Sequence, residues 1–353
     1  MRYLLLTPNA NGHDGVSRLT RLVAVALSSL GGDVDVWSLS DDAGGASELS
    51  EQSISVRGAG GVKARTMLWS LAGLGRDRRG LTVVVLHAHL APLSLPFLCR
   101  GARVFQFLLG IEVWKSLTAL QAFAYRTSER LICISDHTQR RFLSANPGFD
   151  STMVCHLGIP DHSLASRIED EGFALIVGRI ASCERYKGHD AILDVWHDVR
   201  REAPNAQLVV VGDGDDRERL MIKAKERGHL ATIRFTGSVS DDDLDRLYRR
   251  CAFFIMPSVN EGFGLVFLEA MRASKACIGG IGAASEIIVD GETGFVVDPS
   301  DSASVTRSVV ELFRQPERRA QMGSRGYERF LRHFTSAHFR ERLRAAVDID
   351  TRG

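Results

Sequence analysis

Short strand-like runs, most of them nearly continuous apolar residues, recur along this chain and alternate with stretches of helical spacing. In the first half the runs are "RYLLLTP", "DVDVWSLS", "TVVVLHAH", "RVFQFLLG" and "RLICIS". In the second they are "FALIVGRI", "AQLVVVGDG", "TIRFTGSV", "CAFFIMPS", "KACIGG" and "GFVVD". A strand with one wet face alternates apolar and polar residues, whereas a strand covered on both faces does not. Such strands alternating with helices predict an α/β protein of parallel sheets with crossover helices. The pattern breaks once, at "GIPDHSLASRIEDEG", which places a linker near residues 158–171. Each side has the size of one doubly wound domain, residues 1–165 and 166–325, and the cleft between two such domains is the default binding site.

Composition narrows the classes. At 353 residues the chain has ample core for two domains. A net charge of +1 supplies no field that would drive it onto nucleic acid. Cys99, Cys133, Cys155, Cys183, Cys251 and Cys277 lack the paired spacing of a zinc site and do not make a disulfide framework in so long a chain. Cys133, Cys155, Cys251 and Cys277 lie in or beside strand-like runs and read as buried thiols, which fits a reducing cytoplasm. "MRYLLLTPN" reads as a first strand ended by Pro8, not as a signal peptide. The apolar stretch from Leu81 to Cys99 contains His87, His89, Pro92 and Pro96, and so reads as a strand and loop, not a membrane span. A soluble cytoplasmic protein is expected, at most peripheral at the inner face of a membrane. The stretch "KARTMLWSLAGLGRDRRG" could make that contact, since Lys63, Arg65, Arg76, Arg78 and Arg79 accompany Met67, Leu68, Trp69 and Leu71. Packing on the first domain explains its apolar residues equally well.

The segment from Pro257 to Ala270, "PSVNEGFGLVFLEA", carries the chemistry. It leaves a strand-like run, makes a glycine-rich turn and enters a helical pattern. Such a helix start presents free N–H groups and the positive end of a dipole, an anion site. Gly262 and Gly264 allow close approach of a ligand to the backbone of Phe263, Gly264 and Leu265. A carboxylate at Glu261 would compete with a phosphate there, so the hydroxyls of a neutral sugar are its natural partner. Glu269 lies about 6 Å along the helix from Leu265, roughly the distance from a pyrophosphate to a ribose. Upstream, Arg179 and Lys187 stand at the carboxyl edge of the first sheet strand of the second half, where fixed cations would stabilise a departing nucleoside diphosphate. The turn "NANGHDGVSR", with Gly12 and Gly15, can direct N–H groups toward a phosphate.

Two glutamates flanking Gly-Phe-Gly-Leu at this spacing resemble the signature of the family 4 retaining glycosyltransferases, of the bacterial polysaccharide-assembly type. The resemblance is strong over the second half and holds for the first only in arrangement. It implies a GT-B architecture, two Rossmann-like domains facing a cleft, with a terminal helix (residues 326–353) packing back on the first domain. The family carries the Arg and Lys in the pattern Gly-Arg, then Lys-Gly, as at Arg179 and Lys187, and a glycine-rich first loop, as at Gly15. It also implies that backbone near Gly237 and Val239 faces the nucleobase, and it uses positions matching His89 and Glu286. His89 also reads as a structural loop histidine, and Glu286 as a solvated helix residue. Two positions depart from the pattern. Leu109 stands where a histidine beside the donor sugar is usual, and Leu157 where an asparagine precedes Gly158.

Rival readings concern metals. Asp213, Asp215 and Asp216, and Asp241 to Asp243, could hold a divalent ion, but each set opens a helical pattern, where acids act as caps. "GDGDDR" lacks the third glycine of a dinucleotide fingerprint. Glu112 and Asp14 are carboxylates of the first half without a recognisable dyad, so no base is marked for inversion. The reading is a metal-independent, cofactor-free retaining transferase. Its donor is a nucleotide-diphosphate sugar, GDP-mannose first and a UDP-hexose second, and its acceptor a glycan, lipid-linked or small molecule. A non-catalytic nucleotide-sugar-binding protein and a metal-dependent transferase or epimerase are the alternatives.

Overall fold

A computed structural model describes residues 1–42, 48–72, 80–150, 152–161 and 170–348. The chain divides into two units, Met1–Gly158 with Ser336–Gly353, and Ile159–Thr335.

In the first unit the strands β1 (Arg2–Thr7), β2 (Asp33–Ser38), β3 (Ser55–Gly58), β4 (Leu81–Val85), β5 (Arg103–Leu108), β6 (Arg130–Cys133) and β7 (Thr152–Val154) form one sheet. Its order is β3-β2-β1-β4-β5-β6-β7, with every pairing parallel. The central strand β4 is buried along its whole length, as its run of Leu81 and Val83 to Val85 around Thr82 requires. Helices α1 (Gly15–Ser29), α2 (Glu48–Glu51), α3 (Lys63–Ala72), α4 (Leu95–Leu98), α5 (Ala119–Arg126) and α6 (Asp136–Ala145) connect the strands. Leu19, Val23 and Leu27 of α1, at i, i+4 and i+8, are buried on one stripe. One core cluster gathers Leu4, Val83, Phe97 and Val104, and another gathers Leu108, Tyr125, Leu131 and Phe142.

The second unit holds β8 (Phe173–Val177), β9 (Gln207–Val211), β10 (Ile233–Gly237), β11 (Phe253–Met256), β12 (Cys277–Gly280) and β13 (Gly294–Val297). They pair in parallel in the order β10-β9-β8-β11-β12-β13. Helices α7 (His189–Glu202), α8 (Arg217–Glu226), α9 (Asp241–Arg250), α10 (Leu265–Arg272), α11 (Ala284–Ile287), α12 (Ser302–Arg314) and α13 (Pro316–His333) complete it. The chain winds from β8 to β10 on one side and from β11 to β13 on the other. The carboxyl ends of β8 and β11 therefore flank the topological switch point, where such sheets bind ligands. Trp196 of α7 and Phe253 of β11 both meet the Phe313 ring of α12, at 6.3 and 4.8 Å between centroids.

The expected boundaries at 165 and 325 fall instead at 158 and 335. Ile159 and Thr335 form a parallel bridge, and the Ile159 N–H donates to Phe334 O at 3.0 Å. That bridge fastens both crossings of the chain inside the second unit. The helical spacing read as one tail from Gly326 consequently belongs to two helices. Phe330 and Phe334 are buried with α13 in the second unit, and only α14 (Ser336–Val347) belongs to the first. There α14 packs on α1 and β6 through Phe339 and Leu343. Its last carbonyls accept from Arg103 (Val347 O, 2.9 Å) and from Arg130 (Ala346 O, 2.9 Å), cations placed where the helix dipole favours them.

The thiols of Cys133, Cys155, Cys251 and Cys277 are buried, and burial pushes the first three up to about 12. No described helix is long and apolar enough to cross a membrane. On α3, Lys63, Arg65, Met67 and Leu68 are exposed while Thr66 and Ser70 face inward. Arg76, Arg78 and Arg79 lie outside the described residues, as does the side chain of Leu71.

Phe339→Ala should remove about 3–5 kcal/mol of stability from the first unit, the usual effect of truncating a fully buried phenylalanine. Hydrogen-exchange mass spectrometry should show faster exchange in α1, β6 and α14, with the second unit unchanged. Equal acceleration in both units would disprove this assignment of α14.

Candidate active site

The site of the second unit grows from the ends of β8 and β11. After β8 the chain passes Gly178 and Arg179 and enters a 3₁₀ turn, Ser182–Lys187. Asp215 caps that turn, accepting from Ser182 N at 2.8 Å and Ser182 Oγ at 2.6 Å. Asp216 accepts from Arg185 at 2.9 Å and from Arg219 at 2.6 Å. Ser240 caps α9, and Asp241, Asp242 and Asp243 fill its first turn. These aspartates thus serve turns, caps and helix packing.

The turn ends at Gly188, whose φ of 85° only glycine adopts readily. A Cβ there would meet Pro257 O at 2.6 Å, so the turn lies directly against the loop that follows β11. Val259 N donates to Tyr186 O at 3.1 Å and stitches the two together.

Within this frame Arg179 and Lys187 do converge, and what they converge on is Glu184. Arg179 Nη2 pairs with Glu184 Oε1, and Lys187 Nζ lies 3.0 Å from Oε2. Burial works to raise the Glu184 carboxyl, but the two cations hold it below the usual range. Glu261 is shifted the other way. Burial pushes it up and the Glu184 charge adds to this, while Lys187 opposes. The Tyr186 hydroxyl is pushed up by burial and by both carboxylates. Two cations and two acids therefore form one electrostatic cluster.

Beyond it, Gly264 (φ 101°) starts α10 with no side-chain cap. Phe267 N donates to Gly264 O at 3.0 Å, which leaves the N–H groups of Leu265 and Val266 without an intrahelical acceptor. Phe263 is 2% exposed and packs on the Phe334 ring at 6.3 Å, so the main chain is what it can offer a ligand. Leu265 is likewise buried, and Val239 is half-buried in the loop between β10 and α9. One turn into α10, Glu269 is 4% exposed and its Oε2 accepts from Tyr248 Oη at 2.8 Å. Sequence reasoning passed over Glu184 and Tyr248, although both stand within ten residues of motif positions or one helix away.

In the first unit the glycine-rich loop differs from its expectation in one respect. Asp14 caps α1, its carboxylate accepting from Val16 N at 2.9 Å and Ser17 N at 3.1 Å. Those N–H groups are occupied by the chain's own anion. Gly15 precedes them, and a Cβ there would meet nothing within 4 Å, so the folded unit does not itself require glycine. His89 is exposed, its N–H donating to His87 Nδ1 at 3.3 Å with the rings 4.9 Å apart. Glu112 Oε1 accepts from Leu109 N at 2.9 Å and Gly110 N at 3.1 Å, which gives this carboxylate a loop-fastening duty. Leu109 and Leu157 are both buried. Glu286 is half-buried on α11, and its carbonyl accepts from Arg329 at 2.8 Å.

Comparison with known proteins agrees with this architecture. Residues 162–329 match the family model of glycosyl transferases group 1. A Mycobacterium tuberculosis protein named GDP-mannose-dependent alpha-(1-6)-phosphatidylinositol monomannoside mannosyltransferase is 35% identical over 267 residues, 67% of this chain and 68% of its own. The protein of the same name from Mycolicibacterium smegmatis is 29% identical over 285 residues, 72% of each chain. Among solved structures, Anabaena HepE in complex with UDP and glucose superposes with a TM-score of 0.80 at 16% identity, covering 98% of both chains. With two Rossmann-like parallel-sheet units of GT-B type and this degree of identity to a curated member, the chain belongs to the group 1 glycosyltransferases, enzymes that use nucleotide sugars.

Proposed function

We propose that this enzyme transfers a mannosyl group from GDP-mannose with retention of configuration and without a metal ion. The donor assignment follows the two relatives named for GDP-mannose-dependent transfer and the segment "ERYKGHD", with a UDP-hexose as the second donor. The acceptor class is a glycan, a lipid-linked sugar or a small molecule. Exposed Met67 and Leu68 beside Lys63 and Arg65 favour an acceptor met at an anionic membrane surface.

The observation that carries the reading is the convergence of Arg179 and Lys187 on a single anionic group beside an uncapped helix start. In the proposed reaction the bond from the sugar anomeric carbon to the phosphate oxygen breaks as the bond to the acceptor oxygen forms on the same face. The acceptor proton passes to the departing phosphate. Arg179, Lys187 and the first N–H groups of α10 stabilise the charge that develops on that phosphate. Glu261 orients the transferred sugar by accepting from its hydroxyls. Glu269, fixed by Tyr248, takes the ribose. Backbone at Val239, Phe263, Gly264 and Leu265 is assigned to donor contact.

Turnover should persist in EDTA, with GDP-mannose the best of a panel of GDP- and UDP-hexoses, and NMR should show an α-linked product. Loss of turnover in EDTA restored by Mn²⁺, or a β-linked product, would refute the respective part.

Arg179→Ala and Lys187→Ala should each raise the barrier by about 2–4 kcal/mol, comparable with removing one preorganised charge-stabilising donor. Single-turnover rates within twofold of the parent would exclude the role (a change of about 0.4 kcal/mol).

Glu261→Gln should stabilise the second unit near neutral pH. A carboxyl whose folded-state affinity for the proton is raised contributes stability below its unfolded value and loses it as pH rises through the folded value. The parent therefore bears a destabilising charge at pH 7 that glutamine removes, and the gain should vanish toward pH 4.5, the ordinary glutamate value. Thermal unfolding of both proteins across this range measures it, and a gain independent of pH would contradict the assignment.

A further inference from the structure

We propose that Glu184 is an internal counter-anion that stands in for the donor's pyrophosphate, occupying Arg179 and Lys187 until the donor displaces it. The inference rests on the reading that those two cations bind the pyrophosphate.

Glu184 is built into its place from both sides. Asp215 pins the start of the 3₁₀ turn through two hydrogen bonds to Ser182. Gly188, packed on Pro257, pins the end together with the Val259–Tyr186 hydrogen bond. Between these anchors Glu184 alone departs from helical backbone geometry, with φ −121° and ψ 27°. Its side chain is 11% exposed, that of Lys187 17% and that of Arg179 56%. One carboxylate thus meets both cations, with one oxygen for each, as the two bridging partners of a diphosphate would.

The chemistry requires some such group. Two cations held near each other repel, and burial penalises the charge of Lys187. A carboxylate between them relieves both costs and keeps the side chains extended toward the place where the donor's charge will fall. It also competes with any incoming anion. The cluster of Arg179, Lys187, Glu184 and Glu261 already balances when both acids are ionised, so an arriving diphosphate must take the cations over from Glu184. The same competition weakens capture of stray phosphate or the product nucleoside diphosphate. Glu184 is therefore a positioning residue that sets how tightly the site holds anions, and it does not touch the reacting atoms.

The test exploits sign. Glu184→Gln keeps the size and one accepting oxygen but removes the charge. Binding of GDP, UDP and inorganic pyrophosphate is measured by calorimetry on the full-length protein. For the nucleotide that the parent binds, and for pyrophosphate, affinity should rise about tenfold in Glu184→Gln, a shift well above measurement scatter. Donor KM should fall in parallel and kcat should not rise, since product leaves more slowly. Glu184→Asp, which retains the charge, should bind pyrophosphate close to the parent. A purely structural glutamate would give weaker binding in the Gln variant, and that result, or no change, overturns the proposal. So does an equal gain in the Asp variant, which would show that shape and not charge sets the affinity. Arg179→Ala serves as the control for the underlying reading. If it leaves pyrophosphate and nucleotide affinity unchanged, that reading fails whatever Glu184 does. If it weakens binding while Glu184→Gln does not strengthen it, only the counter-anion proposal fails.

Discussion

The candidate site of the second unit depends on the pairing of β8 with β11, strands separated in sequence by two complete strand–helix repeats. Because the chain winds outward from this pair in opposite directions, the crossovers that follow β8 and β11 depart toward opposite sides. The space above their carboxyl ends is left uncovered by helix. Arg179 and the 3₁₀ turn enter that space from β8, and the Glu261–Gly264 loop enters it from β11. The two loops then lock through Gly188 against Pro257 and Val259 against Tyr186. A side chain at Gly188 would separate them, so one glycine with φ 85° fixes the spacing between the cations and Glu261.

Once gathered there, the charged groups divide by environment and not by residue type. Glu184 and Glu261 are both glutamates near Lys187, yet one is held below the ordinary range and the other is driven above it. Glu184 has two cationic partners in contact, which outweigh its burial. Glu261 has burial as its largest influence, with the like charge of Glu184 adding to it and only Lys187 opposing. The cluster thereby contains one carboxylate whose charge is held by cations and one whose charge burial disfavours, a difference that environment alone can impose.

What was readable in the sequence follows from the same physics. Central strands such as β4 and β8 announce themselves because both faces are buried and no charged residue interrupts the run. The edge strands β3 and β7 were not legible: "SVRG" and "TMV" are short, part-exposed and carry too few apolar residues to stand out from loop. The tail from Gly326 read as one helix because Phe330, Phe334, Phe339 and Leu343 keep helical spacing, whereas the Ile159–Thr335 bridge cuts it in two. A bridge between residues so far apart leaves no local trace. In the site, Arg179, Lys187 and Glu261 were legible because glycines and strand ends mark their places. Glu184 was not, since it lies between motif residues and its importance appears only when both cations turn toward it. Tyr248 on α9 was invisible for a related reason, as its bond to Glu269 joins two helices across a strand.

The two glycine-marked helix starts show why a motif does not by itself make an anion site. Sequence treats "NGHDGVS" and "NEGFGLV" alike, each a glycine-rich turn entering a helix after a strand. In α1 the residue at the cap is Asp14, and its carboxylate takes the N–H groups of Val16 and Ser17 while also accepting from Asn9 at 2.7 Å. These bonds draw the Asp14 carboxyl below its ordinary value against the opposing effect of burial. An external anion would have to displace a charge already held by several donors. In α10 the cap is Gly264, which has no side chain to give, and the nearby acid Glu261 is shifted toward its neutral form. That helix start therefore has no side-chain anion at its positive end. The difference rests on one residue at one position: an aspartate at the cap closes the dipole from within, and a glycine there leaves it open.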